Sequence, residues 1–201
     1  MSKKRNAQLP KEPAGPGHPP RGPVAAEQEE VADRAARAQR LVSEGARLLA
    51  AKRPGEAAEL LTEAWELDPQ NAAAAINLGG AYILQGKHER AIPALEAAMQ
   101  LEPDNPMVWI NLAAAYLGKL PFATQERQDR AITAFERAVA LNPRAPHVHY
   151  NLGLIYLERN DPGRAAVNFR CALDTDPTDR DAQHWLAQIS RGAETPQEPQ
   201  G

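Results

Sequence analysis

An asparagine stands beside the same leucine in three places. It is Asn77 in INLGGAY (76–82), Asn111 in INLAAAY (110–116) and Asn151 in YNLGLIY (150–156). A carboxamide offers one acceptor and two donors, so each amide can pair with both the C=O and the N–H of a peptide backbone, whatever that peptide's side chains. Other reactive residue types are sparse. His147 and His149 are two apart, a spacing that sends them to different helix faces, and His184 supplies at most a second imidazole, so no metal site is expected. Cys171, one residue before Ala172 in a helical stretch, reads as a buried structural thiol. The chain has no Gly-rich phosphate loop, nucleophile elbow, HExxH pair or CxxC pair. No catalytic constellation and no cofactor site follow, so the expected activity is binding rather than catalysis.

The elements that would position these amides are helical. Of 201 residues, 43% are hydrophobic but only 5% aromatic, and alanine is abundant, which suits close-packed helices better than a β-sandwich. No run approaches the roughly 20 apolar residues that span a bilayer, so no membrane insertion is expected. The start, MSKKRNAQLPKEP, lacks the apolar segment of a secretory signal, and a single cysteine agrees with a reducing compartment; a cytoplasmic protein is the expectation. The net charge is −3, but residues 1–23 carry +4, which leaves −7 on the remainder. An acidic body argues against nucleic-acid binding, which needs Lys and Arg clustered on the folded surface.

Composition divides the chain into three. Residues 1–23 and 192–201 are rich in Pro and polar residues without apolar periodicity and read as disordered tails, while 24–191 is helix-favouring throughout. Within it Pro69, Pro103, Pro143 and Pro177 recur at spacings of 34, 40 and 34 residues. Eight residues before each proline stand Leu61, Leu95, Phe135 and Phe169; five before stand Ala64, Ala98, Ala138 and Ala172; twelve before stand Ala57, Ala91, Ala131 and Ala165. The first half of each unit supplies Leu48, Tyr82, Tyr116 and Tyr156, preceded by Gly45, Gly79, Ala113 and Gly153. These are four helix-turn-helix units, about 38–71, 72–105, 106–145 and 146–179, followed by a capping helix at about 180–191 that carries Trp185, Leu186 and Ile189.

The pattern resembles the tetratricopeptide repeat (TPR), with Trp109, Leu112, Ala113 and Tyr116 matching its first half and Ala131, Phe135, Ala138 and Pro143 its second. The first unit departs most, with Leu41 at the Trp place and Glu44 at the first Leu place. The resemblance implies an all-α, right-handed superhelical solenoid whose first helices line a concave groove. It places Asn77, Asn111 and Asn151 in that groove as an asparagine ladder, beside Val42, Ile76, Ile110 and Tyr150, with Gly80, Ala114 and Leu154 one turn on. Such a lining favours an apolar ligand. The carboxylate clamp known for TPR domains would need basic or amide groups where Val42, Ala46 and Met107 stand, so that mode is not expected.

Six extra residues lie between Tyr116 and Ala131 in the third unit. They are expected to protrude as a loop around Pro121 and Phe122 plus an N-terminal extension of the second helix capped by Thr124, with Phe122 folded back on its own loop or, as the alternative, exposed as a contact point. The resulting expectation is a non-enzymatic adaptor that binds a protein or peptide partner in the groove. The alternative is a structural assembly protein that forms homo-oligomers through its convex face, the insertion loop or the capping helix.

Overall fold

The computed structural model of the chain describes residues 23–194. Both tails expected to be disordered lie outside that range, except that Pro23 opens the first helix and 192–194 close the last. The described residues form α1 (Pro23–Ala50), α2 (Pro54–Leu67), α3 (Ala72–Leu84), α4 (His88–Leu101), α5 (Pro106–Leu117), α6 (Gln125–Leu141), α7 (Val148–Glu158), α8 (Pro162–Thr175) and α9 (Arg180–Glu194). One 3-10 turn, Leu120–Phe122, sits between α5 and α6. Each odd-numbered helix from α1 to α7 pairs with the one that follows, and each even-numbered helix packs on the next unit, so the array is an all-α solenoid.

Local chemistry sets the boundaries. The second helix of every unit ends at Asp68, Glu102, Asn142 or Asp176, whose backbone N–H bonds to the carbonyl of Ala64, Ala98, Ala138 or Ala172. The proline that follows cannot donate the next helical hydrogen bond, so the chain turns there. The first helices of the second and third units restart on side-chain caps, where Asn71 accepts from Ala74 N at 3.1 Å and Asn105 accepts from Met107 N at 3.0 Å with Pro106 at the first helical position, whereas α7 starts after His147 without one.

Alanine makes the helix pairs close. Ala57, Ala91, Ala131 and Ala165 are all 0% exposed, and beside them Leu61, Leu95, Phe135 and Phe169 are buried. Burying each such large side chain stabilises the fold by about 1.5–3 kcal/mol. At the C-terminal end α9 covers α8, where the Trp185 ring stacks on Phe169 at 6.5 Å between centroids and 12° between planes. The helix thus shields the open face of the fourth unit.

The insertion is built much as its sequence implies, with one correction. Thr124 caps α6 by accepting from Arg127 N at 3.3 Å, and Leu120 and Ala123 tuck against the core. Phe122 does not fold back: it is 83% exposed. The 3-10 turn faces Leu120 inward, and the adjacent ring has no covering surface of its own. Buried Gln128 pins the segment by donating from Nε2 to Ala123 O at 3.2 Å, while its Oε1 accepts from Arg159 Nε at 2.8 Å. Arg159 also bridges Asp129 at 2.7 Å, which ties the insertion to α7 of the next unit.

Candidate functional site

Helices α1, α3 and α5 lie side by side, α3 touching both neighbours. Their common face holds a cleft of about 500 Å³. Asn77 and Asn111 both line it, with Ile76, Gly80, Leu84 and Met107 around them. Leu84 is 64% and Met107 49% exposed, so the cleft presents uncovered apolar side chains beside two amides. With first helices roughly 10 Å apart, one amide-to-amide step matches about three residues of extended chain at ~3.3 Å each. Among the described residues neither the Asn77 nor the Asn111 side chain shows a hydrogen bond, in contrast to the two capping asparagines, Asn71 and Asn105.

The remaining expected groove residues lie elsewhere. Asn151 Nδ2 donates to His147 O at 2.9 Å, a bond to the preceding turn of its own helix that takes one of the amide's two donors. Tyr150 lines a separate hollow of about 260 Å³ with His147, His149 and Asp176, and its ring meets Phe169 edge-on at 5.8 Å. Ile110 is half-buried against the core beside Leu112. Val42 corrects the expectation outright: it is 5% exposed. Because α3 packs directly on α1, Val42 joins a core cluster with Ala74, Leu78 and Ala81 instead of facing the groove.

Leu49, Ile83, Leu84, Asn105 and Met107 also line the cleft, beyond the residues that the repeat pattern places there. A signal existed for Leu84, which stands seven residues after Asn77 and four after Gly80 and so shares their helix face. Nothing local marks Asn105, whose sequence role is to cap α5.

No three potential metal ligands converge among the described residues. His184 is exposed and contacts Gln188, and Cys171 is half-buried rather than buried. Asp176 in the second hollow is held below the usual carboxylate range, first by hydrogen bonds from the Thr178 hydroxyl and backbone N–H and then by nearby His147. No helix among the described residues is long and apolar enough to cross a membrane.

Residues 48–91 match the model described as Tetratricopeptide repeat, and residues 79–119 and 122–160 match the one described as TPR repeat. The chain belongs to the TPR family. Solved structures agree on the TPR fold. The crystal structure of MamA has a TM-score of 0.64 at 21% identity, covering 74% of this chain and 84% of that one. A thermophilic TPR protein in Thermus thermophilus gives 0.63 at 22%, covering 78% and 83%. The first TPR of Spaghetti (RPAP3), solved bound to the HSP90 peptide SRMEEVD, gives 0.55 at 25%, covering 63% and 98%. A comparison with curated proteins finds no match. These likenesses establish the TPR solenoid and leave the use of its surfaces to the residues themselves.

Proposed function

We propose that this TPR protein is a non-enzymatic adaptor that holds an extended, apolar-rich segment of a protein partner in the cleft formed by α1, α3 and α5. The observation that carries the reading is that Asn77 and Asn111 share one cleft with exposed Leu84 and Met107. The amides would fix the backbone of the ligand while the apolar side chains choose its sequence. Pairing with one C=O and one N–H each, two amides make four hydrogen bonds at roughly 0.5–1.5 kcal/mol net each, and ordering the ligand offsets part of that. Apolar contact must therefore supply most of the affinity.

Asn151 does not line this cleft and has one donor committed to His147 O, so Asn77 and Asn111 form the primary site. A relative solved with a bound peptide supports peptide recognition as a use of the fold. An acidic ligand in this cleft is disfavoured, because none of the side chains that line it is a cation.

Selection from a displayed library of random dodecapeptides on the immobilised protein tests the reading. Selected peptides are expected to be rich in apolar residues and to bind the Asn77→Ala/Asn111→Ala variant about tenfold more weakly, which corresponds to the loss of about 1.4 kcal/mol. Unchanged affinity in a variant with an unchanged melting curve would sink the groove reading. Light scattering of the same sample reads the self-assembly alternative.

A further inference from the structure

The insertion in the third unit creates a second cleft on a different edge of the solenoid. Gly118 adopts φ 58° and ψ −122°, backbone angles that side chains rarely tolerate, and this turns the chain sharply out of α5. The 3-10 turn that follows then stands against the turn before α4 and encloses about 420 Å³ between them. Phe122, 83% exposed, forms one wall. The backbone that carries it is held, because Phe122 N bonds to Lys119 O at 2.9 Å, Ala123 N bonds to Leu120 O at 3.0 Å, and Gln128 holds the Ala123 carbonyl.

Charge distinguishes this cleft from the rest of the body. Lys87, His88, Arg90, Lys119 and Arg127 all line it, against Glu89 alone. Glu89 is bridged by Arg127 at 2.6 Å, so those two charges offset each other. Lys87 Nζ donates to Gln85 Oε1 at 2.6 Å, a neutral acceptor, and the Arg90 guanidinium lies 6.0 Å from the Tyr82 ring centroid. Neither contact cancels a cation, and Lys119 is exposed. The His88 Nδ1 atom is buried without a hydrogen-bond partner. Three cations outside any ion pair therefore gather around an exposed aromatic ring, two of them, Lys87 and Arg90, also bordering a neighbouring hollow with Glu59, on a chain that beyond residue 23 carries −7.

We infer that this edge cleft is a second binding site, separate from the asparagine cleft, for an acidic peptide segment that carries an aromatic or large apolar side chain among its carboxylates. The apolar side chain packs on Phe122, and the carboxylates reach Lys87, Arg90 and Lys119. Opposite charges attract a ligand here more strongly than at an isolated surface ion pair, because several cations act on one small volume. Nucleic acid fits less well: a polyphosphate needs a track of cations, whereas this is one cluster on an acidic body.

The test uses the full chain and fluorescein-labelled Glu-Asp-Trp-Glu-Glu, read by anisotropy at about 50 mM salt, where screening is weak. Saturable binding is expected, weakened about tenfold by Lys87→Glu/Lys119→Glu and about fivefold by Phe122→Ser, losses of the size that follow from reversing or removing direct partners. The Asn77→Ala/Asn111→Ala variant should bind this peptide as wild type does, which separates this site from the groove. All three positions altered at the edge are on exposed loop and turn segments, and circular dichroism confirms the fold of each variant. Equal affinity for Ser-Ser-Trp-Ser-Ser, no response to the edge substitutions, no binding at all, or tighter binding of a labelled oligothymidine than of the acidic peptide would each overturn the inference.

Discussion

A Cβ placed on Gly153 would lie 2.7 Å from Cε1 of Phe169. The same relation recurs between Gly45 and Leu61 at 2.6 Å and between Gly79 and Leu95 at 2.4 Å, so three of four units use a missing side chain to bring their two helices together. Gly153→Ala gains roughly 1 kcal/mol of helix propensity but overpacks a buried ring at about 1–3 kcal/mol. A net loss of about 1 kcal/mol is expected in urea unfolding, and Phe169→Leu in the same chain should recover part of it. Gly55, whose Cβ would meet nothing within 4 Å, provides the contrast: Gly55→Ala should stabilise by about 0.5–1 kcal/mol.

Removing the cap should unravel one end first. Trp185→Ala strips the ring stacked on Phe169, and for a half-buried aromatic a loss of about 2–3 kcal/mol is expected, below the cost at a fully buried site. Because repeats contact only their neighbours, amide exchange should accelerate in α7, α8 and α9 while α2 and α3 keep their protection. Uniform acceleration along the chain would show instead that the array unfolds as one unit.

Gln128 is the one buried polar side chain in the described core, and both of its ends are satisfied. Gln128→Ala leaves the Ala123 carbonyl without that donor and the Arg159 Nε without that acceptor, at about 1–3 kcal/mol. Thermal unfolding measures the total, and faster exchange of the Phe122 and Ala123 amides would localise it to the insertion. Gln128→Leu tests whether volume alone suffices; it should not rescue.

The acid limb of the stability curve has an identifiable contributor. Asp161 caps α8, accepting from Arg164 N at 2.9 Å, and that backbone bond, then the Arg164 guanidinium, holds its carboxyl below the ordinary 3.8. A depressed folded value means that the contribution is present above pH 3.8 and is lost as pH falls through the folded value. Asp161→Asn should therefore flatten the melting-temperature profile below that point and leave the profile near neutrality with the same slope.

Tyr116 acts at the other end of the scale. Burial first, then its hydrogen bond to Glu96 Oε1 at 2.9 Å, pushes the phenol above 10.0. A raised folded value means stability that is complete below pH 10.0 and lost as pH rises through the folded value. Tyr116→Phe should remove that alkaline sensitivity, at a cost of about 1–3 kcal/mol at neutral pH from the loss of that bond and of the one that the hydroxyl accepts from Arg130 Nη2 at 2.8 Å. The cation–π contact of Arg130, 3.9 Å from the ring centroid, survives the change.

Much of this was legible in the sequence because it depends on neighbours a few residues apart. The prolines at 69, 103, 143 and 177 stop helices, the small and large residues recur in register, and Asn77 and Asn111 share helical offsets, so the units follow from periodicity, and the resemblance to the TPR marks the recurring amides as groove residues. Tertiary structure decided which of those side chains remain available. Val42 and Ile76 hold the same place in successive units, yet α3 covers Val42 while Ile76 lines the cleft. Asn151 repeats Asn77 letter for letter, yet its amide is engaged by His147 O. Phe122 stands out in solvent because the turn that carries it is anchored through Leu120 and Gln128. Local propensity and spacing are written in the order of residues, whereas burial and hydrogen-bond partnership belong to the surroundings that packing brings together.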